Sequence, residues 1–272
     1  FEKKFSGCKT IKLEQNYRST SNILELANKV IAENKNRKSK KLWSQKQSEN
    51  KPILWAMGNT DHEAEIVVEE ILQQQNKGNQ LKDIAVLYRS KTQTPPLEDQ
   101  LRLSQIPYTI IGGQKFYDKK EIKDLIAYLS VMLNINNEVS LRRIINVPHR
   151  GIGTATLNKF LAFSKEQNIS LFRSMETNPD LAGIRSTKIT NFINIVRDLQ
   201  NKNKGSDLPT LINYLINKID YLSYVDHQYN DNPKHAESRK NDVLSMVSSA
   251  ERFQNYHKEK VSLKDFLEKL LL

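Results

Sequence analysis

Tyr108-Thr109-Ile110-Ile111-Gly112-Gly113 is the stretch at which the sequence changes its period. The first four residues predict a short strand. The two glycines, free to adopt positive φ, suit a hinge, although a plain turn before a helix reads nearly as well. Upstream, Asp83-Ile84-Ala85-Val86-Leu87-Tyr88 is the clearest buried strand, and further strands are predicted over 53–57 and 9–13. Helical patterns lie between them. One covers 21–34, with Ile23, Leu24, Ala27, Val30 and Ile31 on one face. Another runs through Ile66, Val67, Ile71 and Leu72 with Asp61 placed to cap it, and a third is opened by Pro95-Pro96 and continues through Leu97 and Leu101. Strand and helix in alternation imply an α/β sheet with helices on its faces. Downstream of the glycines only helical patterns remain, over 119–134, 138–146, 154–166, 184–201, 208–219, 237–257 and 262–272. The fold expected is α/β over 1–111 followed by an all-α domain over 112–272.

Of the 272 residues 38% are hydrophobic and 27% charged, ordinary values for a chain with a buried core. No apolar run approaches the ~18 residues of a membrane helix, and nothing resembles a secretion signal, so no membrane partner is expected. One cysteine, Cys8, excludes an internal disulfide and a cysteine-rich zinc site, and fits a reducing cytoplasm. The five histidines lack metal-ligand spacing, and no metal site is predicted. Lys and Arg number 42 against 31 Asp and Glu, a net charge of +11. Such a surplus points to a polyanion, although a Lys- and Asn-rich bias explains it almost as well. It is shared by both halves: 18 basic against 13 acidic residues before Gly113, and 24 against 18 from it onward. The sequence opens at Phe1 without a methionine and closes inside the apolar helical pattern Phe266-Leu267-Glu268-Lys269-Leu270-Leu271-Leu272. Both ends read as cuts in a longer protein.

Two constellations offer chemistry. Leu13-Glu14-Gln15-Asn16-Tyr17-Arg18-Ser19-Thr20 lies between the first strand and the first helix, where loops of open α/β sheets hold ligands. Arg18 can meet phosphate oxygens bidentately and stabilise charge during phosphoryl transfer, and Tyr17 can stack on a base. The residues alone favour a plainer reading: a helix capped by Ser19, Thr20 or Ser21 and preceded by a surface arginine. His149-Arg150-Gly151-Ile152-Gly153-Thr154 is a Gly-x-Gly turn feeding a helix, whose backbone N–H groups attract phosphate. By itself it fits a tight turn serving only geometry equally well. Glu121 and Asp124 read as acids complementing a helix dipole, and Trp43 and Trp55 as core residues. Arg89 and Ser90, past the 83–88 strand, could meet a single-stranded backbone.

The loop 13–20 resembles motif IV of superfamily 1 DNA helicases of the UvrD, PcrA and Rep type. The resemblance continues through Asn22-Ile23-Leu24, Ala27-Asn28, Lys40-Lys41-Leu42-Trp43, Ile84-Ala85-Val86-Leu87-Tyr88-Arg89-Ser90 and Ile106-Pro107-Tyr108. It runs on through Gly112-Gly113, Phe116, Glu121-Ile122-Lys123-Asp124 and Ile144-Ile145-Asn146-Val147-Pro148. It is strong over 9–160 and thin thereafter. After Ser90 the family's asparagine and arginine are replaced by Lys91, Thr92 and Pro95-Pro96, which puts that contact surface in doubt.

The resemblance implies that 1–111 is the first part of a second RecA-like motor domain and 112–272 a helical accessory domain. It implies that Arg18 touches the γ-phosphate of ATP, that Tyr17 packs on the adenine, and that Gln15 and Asn16 hold the loop. It also implies that Arg150, Gly151, Ile152, Gly153 and Thr154 grip duplex DNA, with Gly112 and Gly113 as hinge. The parent would be an ATP- and Mg2+-dependent 3′–5′ DNA helicase of repair or replication restart, working at a junction of single strand and duplex. The sequence contains no G-x-x-x-x-G-K-[ST], so the partner motor domain of the same polypeptide would hold the phosphate loop. This chain alone would bind no cofactor tightly and would be inactive. A non-catalytic duplex-binding module and a helicase subunit of a recombination nuclease are the alternatives.

Overall fold

The computed structural model describes residues 4, 5, 7–37, 39–257 and 261–271; Phe1 and Leu272, read as cut ends, lie outside them. The chain forms two compact units, Phe1–Met57 and Gly58–Leu272. In the first, helix α1 (Ser21–Ala32) buries Leu24. The side chains expected to cap it do otherwise. Thr20, at the N-cap position, makes no capping hydrogen bond, and Ser21 Oγ donates to Gln47 Oε1 at 2.9 Å.

The second unit is helical. It begins with α2 (Thr60–Asn76) and α3 (Thr94–Leu103), which pack on each other. Asn59, not Asp61, caps α2: its side chain accepts from His62 N at 2.8 Å. Next come α4 (Lys120–Leu133), α5 (Glu138–Ile144), α6 (Thr154–Glu166) and α7 (Leu171–Thr177). The chain then passes through a 3-10 segment, Pro179–Arg185, into α8 (Ser186–Asn203) and α9 (Leu208–Lys218). It finishes with α10 (Tyr221–Gln228), α11 (Pro233–Tyr256) and α12 (Leu263–Leu271). The short helices α7 and α10 went unanticipated, each spanning too few turns for a clear period. α11 starts at Pro233, four residues before its predicted start, because Asn232 accepts from His235 N and proline suits a first helical turn.

Helix α4 is the axis of this body. Ile122, Leu125 and Leu129 are fully buried, and α5, α8, α11 and α12 pack around it. Glu121 and Asp124 are buried in this core instead of complementing a dipole at the surface. Arg239 pairs with Glu121 at 2.7 Å; Arg143 pairs with Asp124 at 2.7 Å, and Tyr221 donates to the other Asp124 oxygen at 2.7 Å. Buried carboxylates persist only when so partnered.

The α/β expectation for 1–111 is met in its helices and not in its strands. Among the described residues there is no strand, only the isolated parallel bridge between Gln15 and Trp43. A strand exists through its pairing, and no described segment lies beside 9–13, 53–57, 83–88 or 108–111 to complete a ladder. Several of their apolar side chains are accordingly exposed, Leu87 at 94% and Ile111 at 89%, whereas Ile84 is half-buried against Val68, Ile71 and Ile106. In the second unit, 84–89 and 106–112 border an open groove of about 960 Å³ whose floor includes Val67, Ile71 and Leu101. Trp43 and Trp55, expected in a core, are nearly half exposed.

Candidate functional site

Asparagines shape the 13–20 loop. Asn16 Oδ1 accepts from Arg18 N at 2.9 Å and from Ser19 N at 2.8 Å, folding the chain into a tight turn. The segment 41–46 holds this turn from the side. Asn16 N donates to Trp43 O (2.8 Å), Trp43 N to Glu14 O (3.0 Å) and Ser21 N to Lys46 O (2.9 Å). Asn28 clamps the same segment by exchanging two hydrogen bonds with Leu42, at 2.7 and 3.1 Å. Sequence reasoning placed Trp43 in a core and gave Asn28 no structural role, since their partners are backbone atoms far along the chain.

On this frame Tyr17 OH donates to Gln15 Oε1 at 2.9 Å, which fixes a ring that is 73% exposed. Arg18 is exposed, and among the described residues no carboxylate or carbonyl engages its guanidinium. The structure thus brings Gln15, Tyr17 and Arg18 together on one anchored loop, with a planar ring and a free cation side by side. Nothing comparable exists for a divalent cation: no group of three His, Cys, Asp or Glu side chains suited to a metal occurs among the described residues.

The second constellation is organised by Asn146 and Arg150. Asn146 Oδ1 accepts from Arg150 N at 2.8 Å and from Ile152 N at 3.1 Å. The Arg150 guanidinium points inward. Its Nη1 donates to Ile144 O and Val147 O at 3.0 Å, its Nη2 to Tyr128 OH at 2.7 Å, and its plane lies 5.3 Å from the Phe192 ring centroid. Burial pushes the Tyr128 hydroxyl up to about 12 against the opposing Arg150 charge, so it stays a donor, to Val147 O. Arg150 therefore satisfies carbonyls at the end of α5 and in the turn that follows it, a fan of acceptors suited to a planar multi-donor group.

What the turn presents outward is backbone. Ile152 is buried as its anchor; Gly153 and Thr154 are exposed at the start of α6, where no side chain caps the helix. Gly151 has φ +70°, which favours glycine, whereas Gly153 is free of that constraint and has open space around it.

Arg89 stands apart, exposed, in a turn tied by Gln93, whose Oε1 accepts from Arg89 N (3.2 Å) and Ser90 N (3.1 Å). Gly112, at φ +74°, and Gly113 lie inside the second unit, between α3 and α4.

The family described as UvrD-like helicase C-terminal domain matches residues 11–272. The chain is 37% identical over 276 residues to an ATP-dependent DNA helicase PcrA of Staphylococcus epidermidis (strain ATCC 35984), an alignment covering 100% of this chain and 37% of that protein. It is 36% identical over 277 residues to an ATP-dependent DNA helicase PcrA of Staphylococcus aureus (strain Mu50), again covering 100% of this chain and 37% of the relative. The chain thus spans little more than a third of the length of the curated relatives it matches.

Proposed function

Because the chain belongs to the UvrD-like helicase family, matching its C-terminal domain over 11–272, we propose that it supplies one wall of an ATP cleft and a duplex-holding body to an ATP-dependent DNA helicase. The observation that carries this reading is the unpaired Arg18 guanidinium beside the exposed Tyr17 ring on a loop braced by Asn16 and Trp43.

These residues fit a nucleoside triphosphate from one side. Tyr17 would stack on the base with its hydroxyl held by Gln15, and Arg18 would hold γ-phosphate oxygens and stabilise charge as it develops. They do not fit magnesium, whose ligands, with the phosphate loop, would come from another domain of the same polypeptide. The exposed side chains of 85–87 and Ile111 agree with a sheet shared with further chain. We read 1–111 as part of a RecA-like domain and 112–272 as the accessory domain, with Gly112-Gly113 between them. In the intact protein, ATP-driven closure around Arg18 would move the enzyme 3′ to 5′ along single-stranded DNA. Meanwhile the 149–154 turn, and on the single-strand side Arg89, would hold DNA backbone through phosphate contacts. That the relatives are named PcrA helicases favours this over a recombination-nuclease subunit.

The chain alone should show no DNA-stimulated ATP hydrolysis. It should also bind duplex DNA of any sequence, with affinity falling steeply from about 50 to 200 mM salt. Turnover by the purified chain would overturn the placement of the phosphate loop elsewhere. Absence of duplex binding at low salt would overturn the role of the helical body.

A further inference from the structure

We propose that Lys188, with Arg185 and Lys159 beside it, is the cationic half of the 149–154 contact surface, and that its partner is the phosphate backbone of double-stranded DNA. The inference rests on the DNA reading above and assigns to these side chains the charge that Arg150, turned inward, cannot offer.

Many cations of the helical body are held in ion pairs. Arg143 pairs with Asp124, Arg197 with Glu176, Lys218 with Asp198, Arg239 with Glu121, Lys240 with Asp226 and Arg252 with Asp99. Lys159, Arg185 and Lys188 are exposed and, among the described residues, engage no carboxylate, acceptor or ring. The acidic residues of the same elements, Asp180 and Glu166, pair with none of the three.

The three come from neighbouring places. Lys159 lies on α6, which packs on the Pro179–Arg185 segment that leads through Arg185 into α8 and Lys188. Lys188 reaches over the turn itself: a Cβ added to Gly151 would meet its Nζ at 3.1 Å. The ammonium thus stands at Gly151, two residues before the exposed Gly153 and Thr154. Ile184, next to Arg185 in the chain, is 94% exposed and follows Gly183 at φ +60°. Like charges gathered without counter-ions repel, and a polyanion relieves that repulsion while releasing its own condensed cations. An exposed apolar side chain next to Arg185 suits contact with sugar edges.

The test is a salt titration of the 272-residue chain against a fluorescently labelled duplex. Lys188→Ala should reduce the slope of log affinity against log salt by roughly one, Arg185→Ala by roughly one, and the double variant by about two. Lys188→Arg should keep the slope, and so should Lys234→Ala, a control at an exposed cation on α11. If the wild type binds duplex and both alanine variants keep its slope, the inference fails while the DNA reading stands. A wild type that does not bind duplex overturns both. Competition by polyglutamate as strong as by duplex at equal charge would make the surface a dock for an acidic protein, and would also overturn it.

Discussion

Arg252 Nη2 lies 2.6 Å from Asp99 Oδ2, joining α11 to α3 across 153 residues of sequence. Tyr117 and Ser249 donate to Asp99 Oδ1, the latter at 3.1 Å. Burial pushes the Asp99 carboxyl up from the usual aspartate range even with a guanidinium beside it. The residues on either side of Gly112-Gly113 are therefore already clamped together by a desolvated ion pair. Removing one partner strands the other, so Asp99→Ala and Arg252→Ala should each cost about 3–5 kcal/mol in urea unfolding. The double variant should cost much less than the sum. Additive losses would mean the two side chains do not stabilise one another.

Arg150→Ala should act first on stability. It removes charged hydrogen bonds to the end of α5, each worth about 1.5–3 kcal/mol, and leaves Tyr128 without its donor. Lysine should not restore the loss, since one ammonium cannot serve the same fan of carbonyls. A thermally normal Arg150→Ala protein with weakened DNA binding would return Arg150 to direct phosphate contact.

Gly153 separates contact from folding. Its φ is −88° and a Cβ there meets nothing within 4 Å, so Gly153→Val should leave the melting temperature close to wild type. Duplex affinity should nevertheless fall, because the added bulk stands where a DNA backbone would approach. Unchanged affinity would place the DNA elsewhere.

Asp207 caps α9 by accepting from Thr210 N at 2.8 Å, and hydrogen bonding from the Thr210 side chain, then from its backbone, holds the carboxyl below the usual range. Its folded pKa is depressed, so its contribution is present above the unfolded value and lost as pH falls through the folded one. Asp207→Asn should match wild type at pH 7, since asparagine caps comparably, and Asp207→Ala should lose about 1 kcal/mol. Below about pH 4, wild type should lose stability relative to Asp207→Asn. Parallel acid limbs in the two proteins would contradict the assignment.

The long helices were legible in the sequence because burial on one face writes itself as a 3.6-residue period, as in Ile122, Leu125 and Leu129. The strand expected at 83–88 rested on a pattern only: a strand needs a paired neighbour, and a neighbour is not a property of the segment. Tyr17 and Arg18 were readable as residues the loop presents, and Asn16, through the resemblance, as one that holds it; the rest of its scaffold was not. Asn28 and Asn146 act by reaching backbone groups, for which sequence spacing carries no signature. Glu121 was misplaced for a related reason, its partner Arg239 standing 118 residues away. Arg150 was visible as an arginine beside a turn, but the direction of its side chain depended on Tyr128 and Phe192 packing behind it.

The central claim is that Arg18 is held out, unpaired, to meet the phosphates of ATP. The most direct test is DNA-stimulated ATP turnover in the full-length polypeptide carrying Arg18→Ala, with single-strand affinity measured on the same preparation. The account predicts a fall in turnover on the order of 10³ with DNA affinity largely kept. Turnover near wild type would contradict it and leave Arg18 a solvated surface residue ahead of α1.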